Sequence, residues 1–287
     1  MKASDFLAAY GSRGPAVWEA AALELAKKNE VPTWPLANVT SSDGARTLVF
    51  KVATDYFSVG EPGDLLRLPL TPTKAQEVAD VWGMLLPTPK MVKLIADASV
   101  VRLNPHPLAP NLGASLTQYL AHSQEIDKEL AGASGLASGL KKDVVLGNLW
   151  KPGKVLIYGW IKPNAPAGDA NEKQASMMSA PAGPSWRVQP YSNVHGDFYV
   201  DYSHGARLVH PVAVLDGAEV KLADVMRDPA LASLVSWEGP LKTTRYPTPT
   251  APVAAPKDYV PTTPDLAELG RQTVARSYLE AEHLEKL

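Results

Sequence analysis

The sequence predicts an α+β fold, with a helical N-terminal half packed on a mainly antiparallel β-sheet from the second half. Three observations carry that expectation. Apolar residues recur at helical spacing in several windows before residue 130. Between 141 and 216, β-branched and aromatic runs are separated by turn residues, as in short strands. No internal repeat is visible, and the first half reads as mostly helical with a few strands while the second reads as mostly strands, the pattern of an α+β protein.

From the N-terminus, Ser4 or Asp5 is placed to cap a short helix that Gly11 and Gly14 interrupt. Pro15 suits the first turn of a second helix through Lys28, with Val17, Trp18, Ala21 and Leu25 on its apolar face; Asn29 and Pro32 stop it. Thr47–Ala53 is β-branched and apolar enough for a strand, set off by the turn residues Ser41 to Gly44. Tyr56–Val59 continues it or pairs nearby, Glu61-Pro62-Gly63-Asp64 is a turn, and Leu65–Leu70 is a short extended run. Thr71-Pro72-Thr73 opens a helix through Trp82 that Gly83 ends. A further helix follows Leu86-Pro87-Thr88-Pro89, with Met91, Leu94, Ile95 and Ala98 on one side. Val100–Leu103 reads as a strand and Leu112–Leu130 as a helix carrying His122.

Ala131–Leu140 is rich in Ala, Ser and Gly and is expected to be a linker. Beyond it, Val144-Val145-Leu146 and above all Lys154–Ile161 read as strands. Pro163–Pro184 is a polar loop long enough to be a lid. Trp186–Gln189, 194–203 and Arg207–Leu215 are expected to be extended, and Asp216-Gly217 is a hairpin turn. Val220–Arg227 looks helical, and Pro229–Val235 adds a turn. The organisation expected is therefore a mainly helical 1–130, a β-rich 141–239 carrying the site, a proline-rich arm at 240–264 and a C-terminal helix at 265–287, together one compact unit.

Composition narrows the function classes. Hydrophobic residues make up 45% and charged residues 20%, the balance of a globular protein rather than a disordered one. The formal charge is −2, and the 28 basic residues are dispersed among 30 acidic ones, so no basic block tracks a phosphate backbone. No apolar run approaches the 18 or so residues of a membrane span. With no cysteine, disulfides, thiolate nucleophiles and Cys-ligated metals are excluded. Met1–Tyr10 is too short and polar for a secretory signal, so the expected location is cytoplasmic, or secreted with the signal already removed. The arm and the C-terminal helix are the elements expected to support a homo-oligomer.

One window concentrates the chemistry. Residues 191–210 hold three of the six histidines, two aspartates, three tyrosines, two serines and an arginine. If 194–203 is a strand, alternation puts His195, Asp197, Tyr199, Asp201 and Ser203 on one face and Val194, Phe198, Val200 and Tyr202 on the other. His204 then needs a bulge to join the polar face. In one reading His195, Asp201, Ser203 and His204 catalyse hydrolysis without metal, the aspartate orienting an imidazole, with Tyr199, Arg207, Trp160 and Lys142 binding substrate. In a second, His195, Asp197 and His204 ligate zinc and activate water. No H-E-x-x-H or G-x-S-x-G motif is present to specify either. In a third, tyrosines and tryptophans make a non-catalytic surface for a glycan or peptide. In a fourth, the same groups merely satisfy one another inside a sheet.

The blocks Leu86-Pro87-Thr88, Lys141-Lys142-Asp143-Val144-Val145, Ile157-Tyr158-Gly159-Trp160 and Asp201-Tyr202-Ser203-His204-Gly205-x-Arg207-Leu208-Val209 together resemble a family of bacterial proteins to which no activity is attached. The similarity spans most of 50–240, and it implies that these blocks belong to one fold. The function expected is hydrolysis of acyl or glycosyl bonds in a small molecule or polar polymer, such as a cell-wall peptide or polysaccharide, with no cofactor; a zinc-dependent hydrolase and a glycan- or peptide-binding protein are the alternatives.

Overall fold

A computed structural model describes residues 1–108, 115–168 and 186–249. Two helices open the chain, α1 (Ala3–Tyr10) and α2 (Pro15–Lys27); Pro15 sits in the first turn of α2, where its missing N–H costs no hydrogen bond. Strands β1 (Leu36–Ser42) and β2 (Thr47–Ala53) form an antiparallel hairpin. The turn between them is held by Asp43, whose Oδ1 accepts from the N–H groups of Ala45 and Arg46. A second hairpin, β3 (Ser58–Glu61) and β4 (Asp64–Arg67), leads into α3 (Pro72–Val81) and α4 (Pro89–Ala98). Thr88 caps α4 by accepting from Met91 N–H at 3.1 Å. Then follow β5 (Val101–Arg102), α5 (Leu116–Leu130), β6 (Ala137–Ser138), β7 (Lys142–Val144), β8 (Ile157–Ile161), β9 (Arg187–Ser192), β10 (His204–Gly205), β11 (Val212–Leu215), β12 (Ala218–Lys221) and α6 (Leu222–Arg227).

The architecture is α+β with mostly antiparallel sheets. One four-stranded sheet has the order β1-β2-β11-β12, and its last two strands are joined by Asp216 and Gly217, both at positive φ (49° and 91°), the conformation of a two-residue hairpin turn. The other has the order β10-β7-β8-β9, with β10 parallel to β7 and the remaining pairs antiparallel. The core joins inward residues of β1, β2 and β4, such as Val39, Phe50 and Leu66, to Trp18 of α2 and Tyr119 of α5. Each such side chain contributes about 1.5–3 kcal/mol by leaving water.

Several elements depart from expectation. Strand β1 is not signalled, because Asn38, Thr40 and Ser42 break its apolar content on the exposed face. Residues 136–140 are buried and β6 pairs in parallel with β5, so small side chains here permit close packing rather than a free linker. Residues 193–203 are not a strand; they run through turns, and the polar groups expected on one strand face meet instead across those turns. Extended structure ends at Lys221 before α6, one residue beyond the expected helix start. Within the arm, Tyr246 lies on the body, its hydroxyl donating to Val145 O and accepting from Leu156 N–H. Residues 169–184 of the expected lid, 250–264 of the arm and the helix at 265–287 fall outside the described residues.

A buried ion cluster ties the β3–β4 hairpin to α5. Arg67, 2% exposed, donates to Asp55 at 2.7 Å and to Asp127 at 2.7 Å, and its N–H takes the Ser123 hydroxyl as acceptor at 3.0 Å. Removing the guanidinium leaves the buried Asp55 without its hydrogen-bonded cation. Arg67→Met is therefore expected to lower unfolding free energy by about 3–5 kcal/mol in urea titration; a loss below about 1 kcal/mol would show the cluster to be dispensable.

Candidate functional site

The site is organised by β7. Lys142 N–H donates to Ser203 O at 2.6 Å, and β10 continues this pairing with His204 beside Lys142 and Gly205 beside Asp143. Gly205 is required there, because a Cβ would lie 2.5 Å from the Tyr56 ring. Alternation along β7 sends Lys141 and Asp143 to one face and Lys142 to the other. Two polar clusters result.

On the inner face Asp143 accepts from Tyr56 Oη at 2.9 Å and lies 3.7 Å from Arg207 Nε. Arg207 donates to the carbonyls of Ala53, Thr54 and Ala137 and stacks 4.0 Å from the Tyr56 ring centre. Burial pushes the Asp143 carboxyl up to about 7, against the pull of Arg207. Lys141 donates to Tyr202 O at 2.5 Å and to His122 Nδ1 at 3.0 Å. Burial, then the charge of Arg67, draws the Lys141 ammonium down to about 7. His122 is drawn down to about 2 by burial and by Lys141, so its ring is neutral, with Nδ1 accepting and the proton on Nε2. Among the described residues Asp143 Oδ1 and Trp160 Nε1 have no hydrogen-bond partner, and both residues border a cavity of about 10 Å³, near the lower limit for one water.

The outer face holds the residues singled out in the sequence. Asp201 accepts from Ser203 N–H at 2.8 Å, from Ser203 Oγ and from Tyr199 Oη at 3.0 Å. Lys142 Nζ is 3.7 Å and His204 Nε2 4.0 Å from Asp201 Oδ2. Burial raises the Asp201 carboxyl, but the charges of His204 and Lys142 and the Ser203 hydrogen bonds outweigh it, so it stays well below the ordinary carboxylate range. At neutral pH that stabilisation comes from Lys142 and Ser203, because burial draws His204 down to about 4 and leaves it uncharged. His195 is half-buried and lies flat on Tyr199, with ring centres 3.9 Å apart and planes 10° apart. The Tyr199 hydroxyl is pushed up to about 12 by burial and by Asp201, which keeps it protonated as a donor.

Trp160 underlies this cluster. Its indole is buried, 5.7 Å from Lys142 Nζ, and its φ is +54°. A bulky residue in that region costs about 1–3 kcal/mol, and such strain is concentrated at functional sites. Gly159 at φ +107° and a register shift between Ile157 and Gly159 accompany it.

The structure thus brings His195, Tyr199, Asp201, Ser203, His204 and Lys142 together, with Trp160 beneath rather than at the surface. It does not bring Arg207 to them: the guanidinium is locked on three backbone carbonyls on the inner face, so it is not available to a substrate carboxylate. Ser203 is fully buried with its hydroxyl bonded to Asp201, and neither ring nitrogen of His204 has a hydrogen-bond partner among the described residues, so Ser203 and His204 do not form a nucleophile–base pair. Asp197 is exposed, its N–H donating to Gly153 O, and His210 binds the Val212 backbone by the other sheet. Among the described residues, no three His, Asp or Glu side chains converge to hold a metal ion, so His195, Asp197 and His204 do not form a preassembled zinc site. Sequence reasoning missed Tyr56 and gave Asp143 and His122 no role. The available signal was charge at Lys141-Lys142-Asp143 directly before the apolar run Val144-Val145-Leu146, which places charge on a buried strand.

No protein-family model, curated protein or solved structure matches the chain.

The Asp143 carboxyl gives a pH test. Its folded value is raised from 3.8 to about 7, so the folded protein keeps a proton that the unfolded chain releases. The stability this group contributes is complete below 3.8 and lost as pH rises to about 7. In urea titrations, Asp143→Asn should gain stability relative to the native protein across that interval and run parallel above it. A difference that is flat with pH would contradict the assignment.

Proposed function

We propose that the protein is a hydrolase working by metal-free general-base catalysis at the cluster of His195, Tyr199, Asp201 and Lys142. The observation that supports this most is the half-exposed imidazole of His195 seated flat on Tyr199, whose hydroxyl is fixed by the ionised Asp201. Burial and the charge of Lys142 draw the His195 ring below its ordinary value, so it is neutral and basic near pH 7. In the proposed reaction, His195 takes a proton from a water as that water attacks an acyl carbon to give a tetrahedral intermediate. The ring returns the proton to the leaving group when the bond breaks. Asp201 fixes Tyr199 and thereby the ring resting on it, and Lys142 faces the substrate. Ser203 holds Asp201 and takes no covalent part. The substrate class is a polar polymer such as a cell-wall peptide or polysaccharide.

A binding role without turnover is the second reading, favoured by the exposure of Phe198 (82%) and Val194 (48%) beside His195, an apolar rim suited to a sugar ring or peptide.

On a panel of chromogenic peptides, esters and glycosides, His195→Gln should reduce kcat about 100-fold or more. Native activity in that variant would remove His195 from the mechanism, and ligand binding with no turnover of any substrate would favour the second reading. The base must be neutral to act, so kcat/KM should rise with pH through a value below 6.5 and be level at neutrality. A profile centred above 6.5 would contradict the assignment.

A further inference from the structure

Lys142 has an incomplete environment. Its side chain is only 17% exposed, yet its ammonium donates no hydrogen bond to a described residue; the nearest carboxylate oxygen, Asp201 Oδ2, is 3.7 Å away. That carboxylate already accepts from Ser203 N–H, Ser203 Oγ and Tyr199 Oη. The accessible neighbour is His195, half-buried and stacked on Tyr199, whose ring nitrogens make no hydrogen bond to a described residue; His204 lies behind it, fully buried. Buried donors are normally matched, and charged donors most of all. The position of Lys142 is nonetheless specified, because the left-handed backbone at Trp160 places the indole against it.

The local charge balance gives the sign of the missing partner. Lys142 and Lys154 both act on His195, and Lys154 is tethered through Nζ to Val194 O at 2.8 Å. Against these two cations stands the ionised Asp201, and Lys141 behind it is drawn by burial toward neutrality, which leaves about one positive charge for a ligand to neutralise. A monoanion fits that balance, whereas a dianion would leave excess negative charge against Asp201.

We infer that Lys142, with His195 beside it, forms an oxyanion subsite, and that the substrate carries a carboxylate next to the bond that is cleaved. This rests on the hydrolase reading of the same cluster and names its substrate class. Lys142 donates to the carboxylate and holds the substrate, while His195 remains the base.

The test is a titration of the full chain with sodium acetate, read on the histidine ring resonances by ¹H–¹⁵N NMR, with sodium chloride at matched ionic strength as control. The His195 signal, assigned by its loss in His195→Gln, should shift saturably with a Kd of about millimolar. Lys142→Met should weaken that binding about tenfold or more, and Lys142→Arg should restore most of it. No saturable shift, an equal shift in Lys142→Met, or a shift with phosphate but not acetate would overturn the inference. Because binding is read without turnover, the two readings fail separately. Absent acetate binding with activity still lost in His195→Gln overturns the subsite alone; saturable acetate binding with no hydrolysis of any substrate overturns the hydrolase alone.

Discussion

Strand β7 and the residue before it carry Lys141, Lys142 and Asp143 through the interior of a four-stranded sheet, and each charge has to be met where it lies. Water cannot do it, because Lys141 and Asp143 are almost fully buried. The surrounding structure answers them one by one. Arg207 and Tyr56 reach Asp143 from β10's extension and from the segment after β2, and Lys141 is held by His122 of α5 and the Tyr202 carbonyl. Burial shifts both groups toward neutrality, which lowers the cost of keeping them inside. Lys142, on the other face, is met only in part, by the Trp160 ring and by Asp201 at salt-bridge distance. That asymmetry separates a closed structural cluster from one whose cation is incompletely matched.

The incompletely matched cluster depends on the closed one. Lys142 is aimed outward because Lys141 and Asp143 are fixed inward, and His204 is registered beside it by the parallel pairing of β10. Asp201 then closes the turn before β10 by taking the Ser203 N–H and hydroxyl, and it keeps an oxygen for Tyr199. His195, at the end of this chain of contacts, is half-buried, its ring flat on Tyr199. Its orientation is transmitted from a buried strand through Asp201 and Tyr199, the kind of support that a catalytic group needs if it is to be held in place.

Legibility in the sequence followed the range of the forces involved. Helices α2, α3 and α4 and the β11–β12 turn were readable because their signals are local: Pro15, Pro72 and Pro89 in first turns, Thr88 as a cap, Asp216-Gly217 at positive φ. The richness of 191–210 was also visible, and five of its residues do assemble, with Lys142 from β7. Their geometry was misjudged because period-two alternation in 194–203 is equally compatible with turns once Asp201 binds the backbone two residues on. Pairings such as Tyr56 with Asp143, or His122 with Lys141, link residues 87 and 19 positions apart and leave no local trace. The stretch 131–140 was read as a linker for a similar reason. Small residues mark both flexible chain and tight packing, and only the neighbouring β5 decides between them.

The central claim is that β7 presents one incompletely matched cation to a substrate anion beside a neutral imidazole. The most direct measurement is kcat/KM for matched substrates that differ only in whether the carboxylate next to the scissile bond is free or amidated. The free acid should be preferred at least about tenfold by the native protein, and the preference should vanish in Lys142→Met. Equal rates for the two substrates, or a preference that survives Lys142→Met, would contradict it.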